Sequence, residues 1–225
     1  MPGVLYDDLQ EKKSELVRKA LDGSAFIAPH SADAITTLTD PTDKLLAALP
    51  EGYGDLGYVS TDGFSFGRDV EQSDIRAHGA TDPVRSDITA DTATLTVQCI
   101  ETKLQTIGLY TGAAFDSLEA DGTSGELVID KPRRPTSRYY RMLKISVDLT
   151  DAGELYIARF FPRCKVTSFD EQAYTSDGEN AITWPVTLTA FVDSVEGCSE
   201  RWLFGGPGWD ALLTDMGIPK ATVTP

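Results

Sequence analysis

The run Gly63-Phe64-Ser65-Phe66-Gly67 has the G-x-S-x-G spacing of a hydrolase nucleophile elbow. In that elbow a strand turns sharply into a helix and lifts the serine beneath a histidine that follows late in the chain. Neither condition is met, because the residues after Gly67 are polar and aperiodic and the only later histidine, His78, stands too close in sequence. His30 and His78 have no cysteine or carboxylate neighbours at ligand spacing, which argues against zinc. The Asp-Gly pairs lack the spaced acidic pattern of a calcium loop and read as turns. Neither G-x-x-x-x-G-K-[ST] nor G-x-G-x-x-G occurs. The three cysteines, Cys99, Cys164 and Cys198, are odd in number and widely spaced, so no closed disulfide framework follows. The residues predict no catalytic centre, no metal and no cofactor.

Composition narrows the partners. A formal charge of -15 and a pI near 4.4 argue against a groove that grips nucleic acid, which needs clustered Lys and Arg. The same acidity permits a surface that repels DNA. With 41% hydrophobic residues, the 225-residue chain has material for one β-rich domain. The opening residues carry no apolar signal segment, and the run Leu45-Leu46-Ala47-Ala48-Leu49 is far short of a membrane span. The expectation is a chain without a membrane anchor, folded in a reducing cytoplasm.

The elements are organised around residues 55–112. A short strand-like run, Leu56-Gly57-Tyr58-Val59, breaks at Asp62-Gly63, a pair suited to a tight turn. Residues 68–87 are polar, with mixed charges and no hydrophobic period, and read as a long exposed loop. A two-residue period then puts Ala93, Leu95, Val97 and Cys99 on one strand face and Thr92, Thr94, Thr96 and Gln98 on the other. Leu104, Ile107 and Tyr110 recur at helical spacing until Gly112, predicting one short packed helix.

Before this stretch, residues 7–21 place Leu9, Leu16, Ala20 and Leu21 near one side of an amphipathic helix ended by Asp22-Gly23, and residues 23–53 read as an arm. After it, residues 126–130 read as a short strand and Lys131-Pro132-Arg133-Arg134-Pro135 as a basic, stiffened turn. Residues 139–149 alternate as a strand, a hairpin follows at 150–153, and Pro162 suggests a bulge in the next strand. Asp177-Gly178 reads as a turn before a half-buried strand at 181–193, whose Thr187, Thr189 and Asp193 face away from its apolar side. Pro185 on that strand implies an edge or a bulge. The expected fold is mainly β, an antiparallel sandwich or barrel with one short packed helix and an N-terminal amphipathic helix. Its divisions are 1–54 (helix and arm), 55–209 (β domain) and 210–225 (C-terminal extension).

Several pieces, in this order, resemble the major tail tube proteins of long-tailed, siphovirus-type bacteriophages, especially the actinobacteriophage type. They are DLGYVSTDG, RAHGATDPVR, a Thr-rich strand closing on CIETK, LQTIGLYTG, then YYRMLKISVDL, ELYIARFFPRCKVTSFDEQAY and ENAITWPVTLTAFVDS. The resemblance implies a structural virion protein that forms hexameric rings, stacked into a tube through which the genome passes into a bacterial host. It implies, besides other copies of itself, a tape measure protein, a tail terminator and distal tail or baseplate proteins as partners, with double-stranded DNA in transit but not specifically bound. Assembly is expected in the host cytoplasm. The loop with Arg68, Asp69, Glu71, Asp74, Arg76, His78, Asp82, Arg85 and Asp87 is then expected at a subunit or ring interface. Thr92, Thr94, Thr96, Gln98, Thr187, Thr189 and Asp193 are the expected lumen-facing positions of an acidic bore. Alternatives are a related hexameric tube or adaptor, such as a tail terminator, baseplate ring or secretion-system tube subunit, and, from another class, a soluble binding module or a hydrolase using Ser65.

Overall fold

A computed structural model describes residues 3–176 and 181–221. The expected Asp177-Gly178 turn lies outside them. Eight strands form one antiparallel sheet: β1 (Asp22–Pro29), β2 (Gly54–Asp55), β3 (Val59–Ile75), β4 (Arg85–Cys99), β5 (Tyr140–Thr150), β6 (Gly153–Phe169), β7 (Trp184–Ala190) and β8 (Arg201–Gly205). Their order is β2-β1-β5-β6-β7-β4-β3, with β8 on β6. Two short helices, α1 (Leu104–Thr111) and α2 (Pro207–Leu212), complete the regular structure. No helix among the described residues is long and apolar enough to cross a membrane.

Alternation makes this sheet. Ala93, Leu95, Val97 and Cys99 are buried as expected, and they meet Val186, Leu188 and Ala190 of β7 in the main core. β5 is buried on both faces. Its Tyr140 and Met142 enter the main core, while Leu143 and Ile145 enter a second core with Phe160, covered by Ile35 and Leu38 of the segment before β2. The sheet curls far enough for Phe66 of β3 to stack on Phe161 of β6, with ring centroids 6.3 Å apart. Residues 54–59 link the two ends of the strand order. β2 pairs with β1, Leu56 N–H donates to Ala25 O at 2.9 Å, and Val59 pairs with Cys99.

α1 stands where a helix was expected. The Thr106 hydroxyl accepts from Lys103 N–H at 2.8 Å at its start, and Gly112 ends it with φ 74°, a left-handed conformation that glycine adopts without strain. Thr106, Gly108 and Leu109 form the buried side, whereas Leu104 is exposed. The bulge near Pro162 is present, since β5 and β6 shift register between the pairs Tyr140–Cys164 and Met142–Phe161. Pro185, the second residue of β7, pairs with Gln98 just past the last residue that β6 contributes to the ladder. Its O accepts from Asp170 N–H at 3.4 Å, so its missing N–H faces the side where the β6 ladder has ended, the edge expected for it.

Several local expectations fail, and residues 23–29 of the expected arm instead form β1, an inner strand between β2 and β5 whose Ala25 and Ile27 enter the main core. Residues 7–21 hold only single 3-10 turns at Tyr6–Leu9 and Ser14–Leu16, and Asp22-Gly23 opens β1 instead of ending a helix. Leu5, Leu9, Val17 and Leu21 are all exposed, so among the described residues nothing packs on these side chains to stabilise a helix there. Asp62-Gly63 forms an irregularity inside β3, where the register shifts between Val59 and Phe64. Residues 126–130 form no strand. The last failure is the long loop at 68–87, described next.

Candidate functional site

Residues 68–87 are the distal half of a hairpin, not a loop. Arg68, Asp69, Glu71 and Asp74 lie on β3, Arg85 and Asp87 on β4, and Arg76, His78 and Asp82 in the connection between them. β7 pairs with β4 only from Thr94 to Cys99. From Arg68 outward the two strands therefore stand as a two-stranded arm, all of whose nine candidate interface residues are exposed. With no core to face, its side chains need no apolar period, and cross-strand hydrogen bonds and ion pairs hold it. The Arg68 guanidinium grips Asp91 with two bonds of 2.8 and 2.6 Å and holds that carboxyl below its usual range. Within β4 itself, Arg85 grips Asp87 at 2.6 and 3.1 Å. Asp91 was missed because diagonal cross-strand partners become visible only once the register is known.

Closer to the core, the other faces of β3, β4, β7 and β6 form one polar surface. Thr94 pairs with Thr189, Thr96 with Thr187 and Gln98 with Pro185. β3 extends the surface with Ser65 opposite Thr96 and Asp69 opposite Thr92, and β6 with Lys165 opposite Thr189. Side chains bridge the strands across it. The Thr96 and Thr187 hydroxyls lie 2.9 Å apart, those of Thr167 and Thr189 2.7 Å apart, and Gln98 Nε2 donates to Thr183 Oγ1 at 3.0 Å. A shallow cavity of about 200 Å³ opens at one end, with Asp62, Asp170 and Glu171 among its lining residues. Six of the seven residues expected on a lumen face, Thr92, Thr94, Thr96, Gln98, Thr187 and Thr189, are thus brought together. Ser65, Thr167 and Lys165 join them, and counting by twos along β3 and β6 would have found them.

Asp193 departs from this surface. It lies beyond β7, 1% exposed, with Oδ2 2.7 Å from His30 Nε2, while Oδ1 accepts from Val195 N–H at 2.8 Å. The bond from His30 is the chief cause of a carboxyl pKa lowered to about 2. The expectation of a lumen-facing Asp193 is corrected accordingly: a partner 163 residues away in sequence draws it inward. Because the folded value lies below the ordinary 3.8, Asp193 contributes stability that is complete above about pH 4 and lost as pH falls toward 2. The contribution is roughly 2 kcal/mol or less, since His30 is partly in solvent. Urea denaturation between pH 2 and 7 should show this loss for the native chain and a flatter profile for Asp193→Asn.

The other reactive side chains find no partners for chemistry. Ser65 sits on a strand, and His78 lies beyond Ile75, more than ten residues of extended chain away, or roughly 30 Å. Burial pushes the Cys99 thiol up to about 12 and that of Cys164 higher still, which makes both inert. Among the described residues no group of His, Cys, Asp and Glu gathers to hold a metal ion.

The family model that matches the chain is described as phage tail tube protein, and it matches residues 11–203. No curated protein matches. Among solved structures the chain is similar to one in the six-fold symmetrised baseplate of the anti-feeding prophage, with 10% identity, 80% of this chain and 91% of that chain covered, and a TM-score of 0.39. It is similar to one in the virion of a native gene transfer agent (9%, 75% and 100% covered, 0.34) and to an Hcp protein (8%, 80% and 97%, 0.30). Matched over most of its length, the chain belongs to the phage tail tube protein family, whose members are structural components of the virion and not enzymes.

Proposed function

We propose that six copies of this chain close into a ring, that rings stack into the tail tube, and that the polar surface of β3, β4, β7 and β6 lines the bore. The observation that carries the reading is the pair of free edges flanking this surface. Among the described strands, β3 pairs only with β4, and β5 pairs with β6 no further than Cys164. β6 from Lys165 to Phe169 therefore has an open side. Four antiparallel strands are an even number, so the β6 end of one copy meets the β3 edge of the next in antiparallel sense. A contact of this kind repeats around a ring until it closes, and closure removes the exposed edges.

Threonine suits such a wall, with its methyl and hydroxyl on a wet strand face backed by core. Asp69 toward the arm, and Asp62, Asp170 and Glu171 at the other end, add negative charge that keeps DNA phosphates from sticking in transit. Siphovirus-type tails, assembly in the host cytoplasm, and tape measure, terminator and baseplate partners complete the proposal by family resemblance.

Negative-stain electron microscopy of the purified chain over a concentration series, with size-exclusion chromatography of the same samples, tests the reading. Rings of six and tubes with an open bore are expected. Assembly that stops at a single ring would indicate an adaptor, and a bore that proves neutral or basic would remove the non-stick argument.

A further inference from the structure

We propose that the basic loop 131–138 of one copy receives the acidic outer half of the β3–β4 arm of a second copy, head to tail. This inference rests on the stacked-ring reading and names the surfaces that meet. Lys131, Arg133, Arg134 and Arg138 fall within eight residues of a chain with 20 basic and 35 acidic residues, and all four are exposed. Among the described residues none of them lies within ion-pair distance of a carboxylate, and Arg138 Nε donates only to Gly112 O, at 3.2 Å. Pro132 and Pro135 stiffen the segment, and its base rests on the end of α1, where Val128, Ile129 and Pro132 share a cavity with Thr111 and Ala113. A preorganised loop loses less freedom on docking.

The arm carries the complement. Between residues 68 and 91 stand six acidic residues and three arginines. Arg68 is taken by Asp91 and Arg85 by Asp87, which leaves Asp69, Glu71, Asp74 and Asp82 against Arg76. The two surfaces lie too far apart to meet within one chain. Arg138 lines a cavity with Val166, which pairs with Leu188 and so stands in the row of Leu95. Arg85, beside the arm's outer end, is ten residues along β4 from Leu95, roughly 30 Å away. A second copy is the partner that brings them together, and a contact between opposite ends of identical subunits propagates as a stack.

A zero-length carbodiimide joins an amine to a carboxylate only where the two touch. Applied to assemblies of mixed ¹⁴N and ¹⁵N full-length chain, it should link Lys131 of one copy to Glu71, Asp74 or Asp82 of another, read by mass spectrometry. The double variant Arg133→Glu/Arg134→Glu should raise the protein concentration needed for tubes by roughly tenfold or more, because like charges then face each other. Adding Glu71→Lys/Asp74→Lys/Asp82→Lys to the same chain should restore assembly. Tubes that form at the native concentration from the loop variant, with Lys131 linked elsewhere or to nothing, would overturn the proposal and leave the tube reading standing. Protection of Lys131 by added duplex DNA instead of by a second copy would also overturn it. A native chain that stays monomeric throughout overturns the tube reading, and this proposal with it.

Discussion

Arg159→Ala should destabilise the chain by about 3–4 kcal/mol, a larger loss than its position on a partly open surface suggests. The Arg159 guanidinium is held between two rings, 4.0 Å from the Phe66 centroid and 4.1 Å from that of Trp202, while its Nε bonds to Glu200. Arg159 and Glu200 side chains are 13% and 14% exposed, so the pair is largely shielded from water. Removing the cation leaves Glu200 with a desolvated charge and opens a gap between two aromatic faces. Three elements are tied here, since Phe66 is on β3, Arg159 on β6 and Trp202 on β8. Arg159→Lys keeps the charge but not the flat plate that fills the space between the rings, so it should recover no more than about half of the loss. Urea denaturation of the monomer measures both. Hydrogen exchange should also quicken in the outer arm beyond Phe66, because the clasp fixes the arm's root. An Arg159→Ala chain within 1 kcal/mol of the native one would refute this account.

What the sequence disclosed follows from where water is. β4 between Ala93 and Cys99 has core on one side and solvent on the other, and its alternation was readable residue by residue. The same strand from Arg85 to Asp91 has solvent on both sides and so no period, which is why it passed for a loop. A strand without a hydrophobic face is recognisable only from its partner, and Asp69 opposite Thr92 is a relation between two distant segments. At the N-terminus the failure was the reverse. Leu9, Leu16 and Leu21 follow a helical period, yet Leu9 and Leu21 are exposed, and a packed apolar surface that would reward a helix is not found among the described residues. In the assembly proposed above, a neighbour's surface is the place to look for it.

The candidate surface divides in the same way. The Thr and Gln positions were legible because they oppose a buried face on the same strands. Asp193 was not, because its orientation depends on His30 and on the turn it caps, not on strand parity. The basic loop is visible as composition, but that none of its four cations is ion-paired among the described residues is a fact of three dimensions.

Lys144→Met should stabilise the chain at pH 7 by roughly 1–3 kcal/mol, an unusual direction for the loss of a charged residue. Lys144 is 6% exposed on β5, directly opposite Arg159, and its ammonium has no carboxylate bonded to it. It donates instead to Ile145 O at 2.6 Å and to Ser146 Oγ at 2.9 Å, and lies 4.7 Å from the centroid of the Phe64 ring. Burial lowers its pKa to about 8, against a smaller raising influence of Asp22. Below pH 8 both folded and unfolded chains hold this proton, and the folded chain bears the whole cost of the buried charge. From about pH 8 toward 10.5 the folded chain releases it first, so the unfolded state binds more protons and stability rises with pH. Methionine has similar length, meets Phe64 with a polarisable sulfur and brings no charge, so its advantage should be greatest below pH 8 and largely vanish by about pH 11. Paired denaturation curves at pH 7, 9 and 10.5 decide the matter. A Lys144→Met chain less stable than the native one at pH 7 would mean that the two hydrogen bonds and the Phe64 ring more than offset the desolvation of the ammonium. The native gain between pH 8 and 10.5 should then be absent as well.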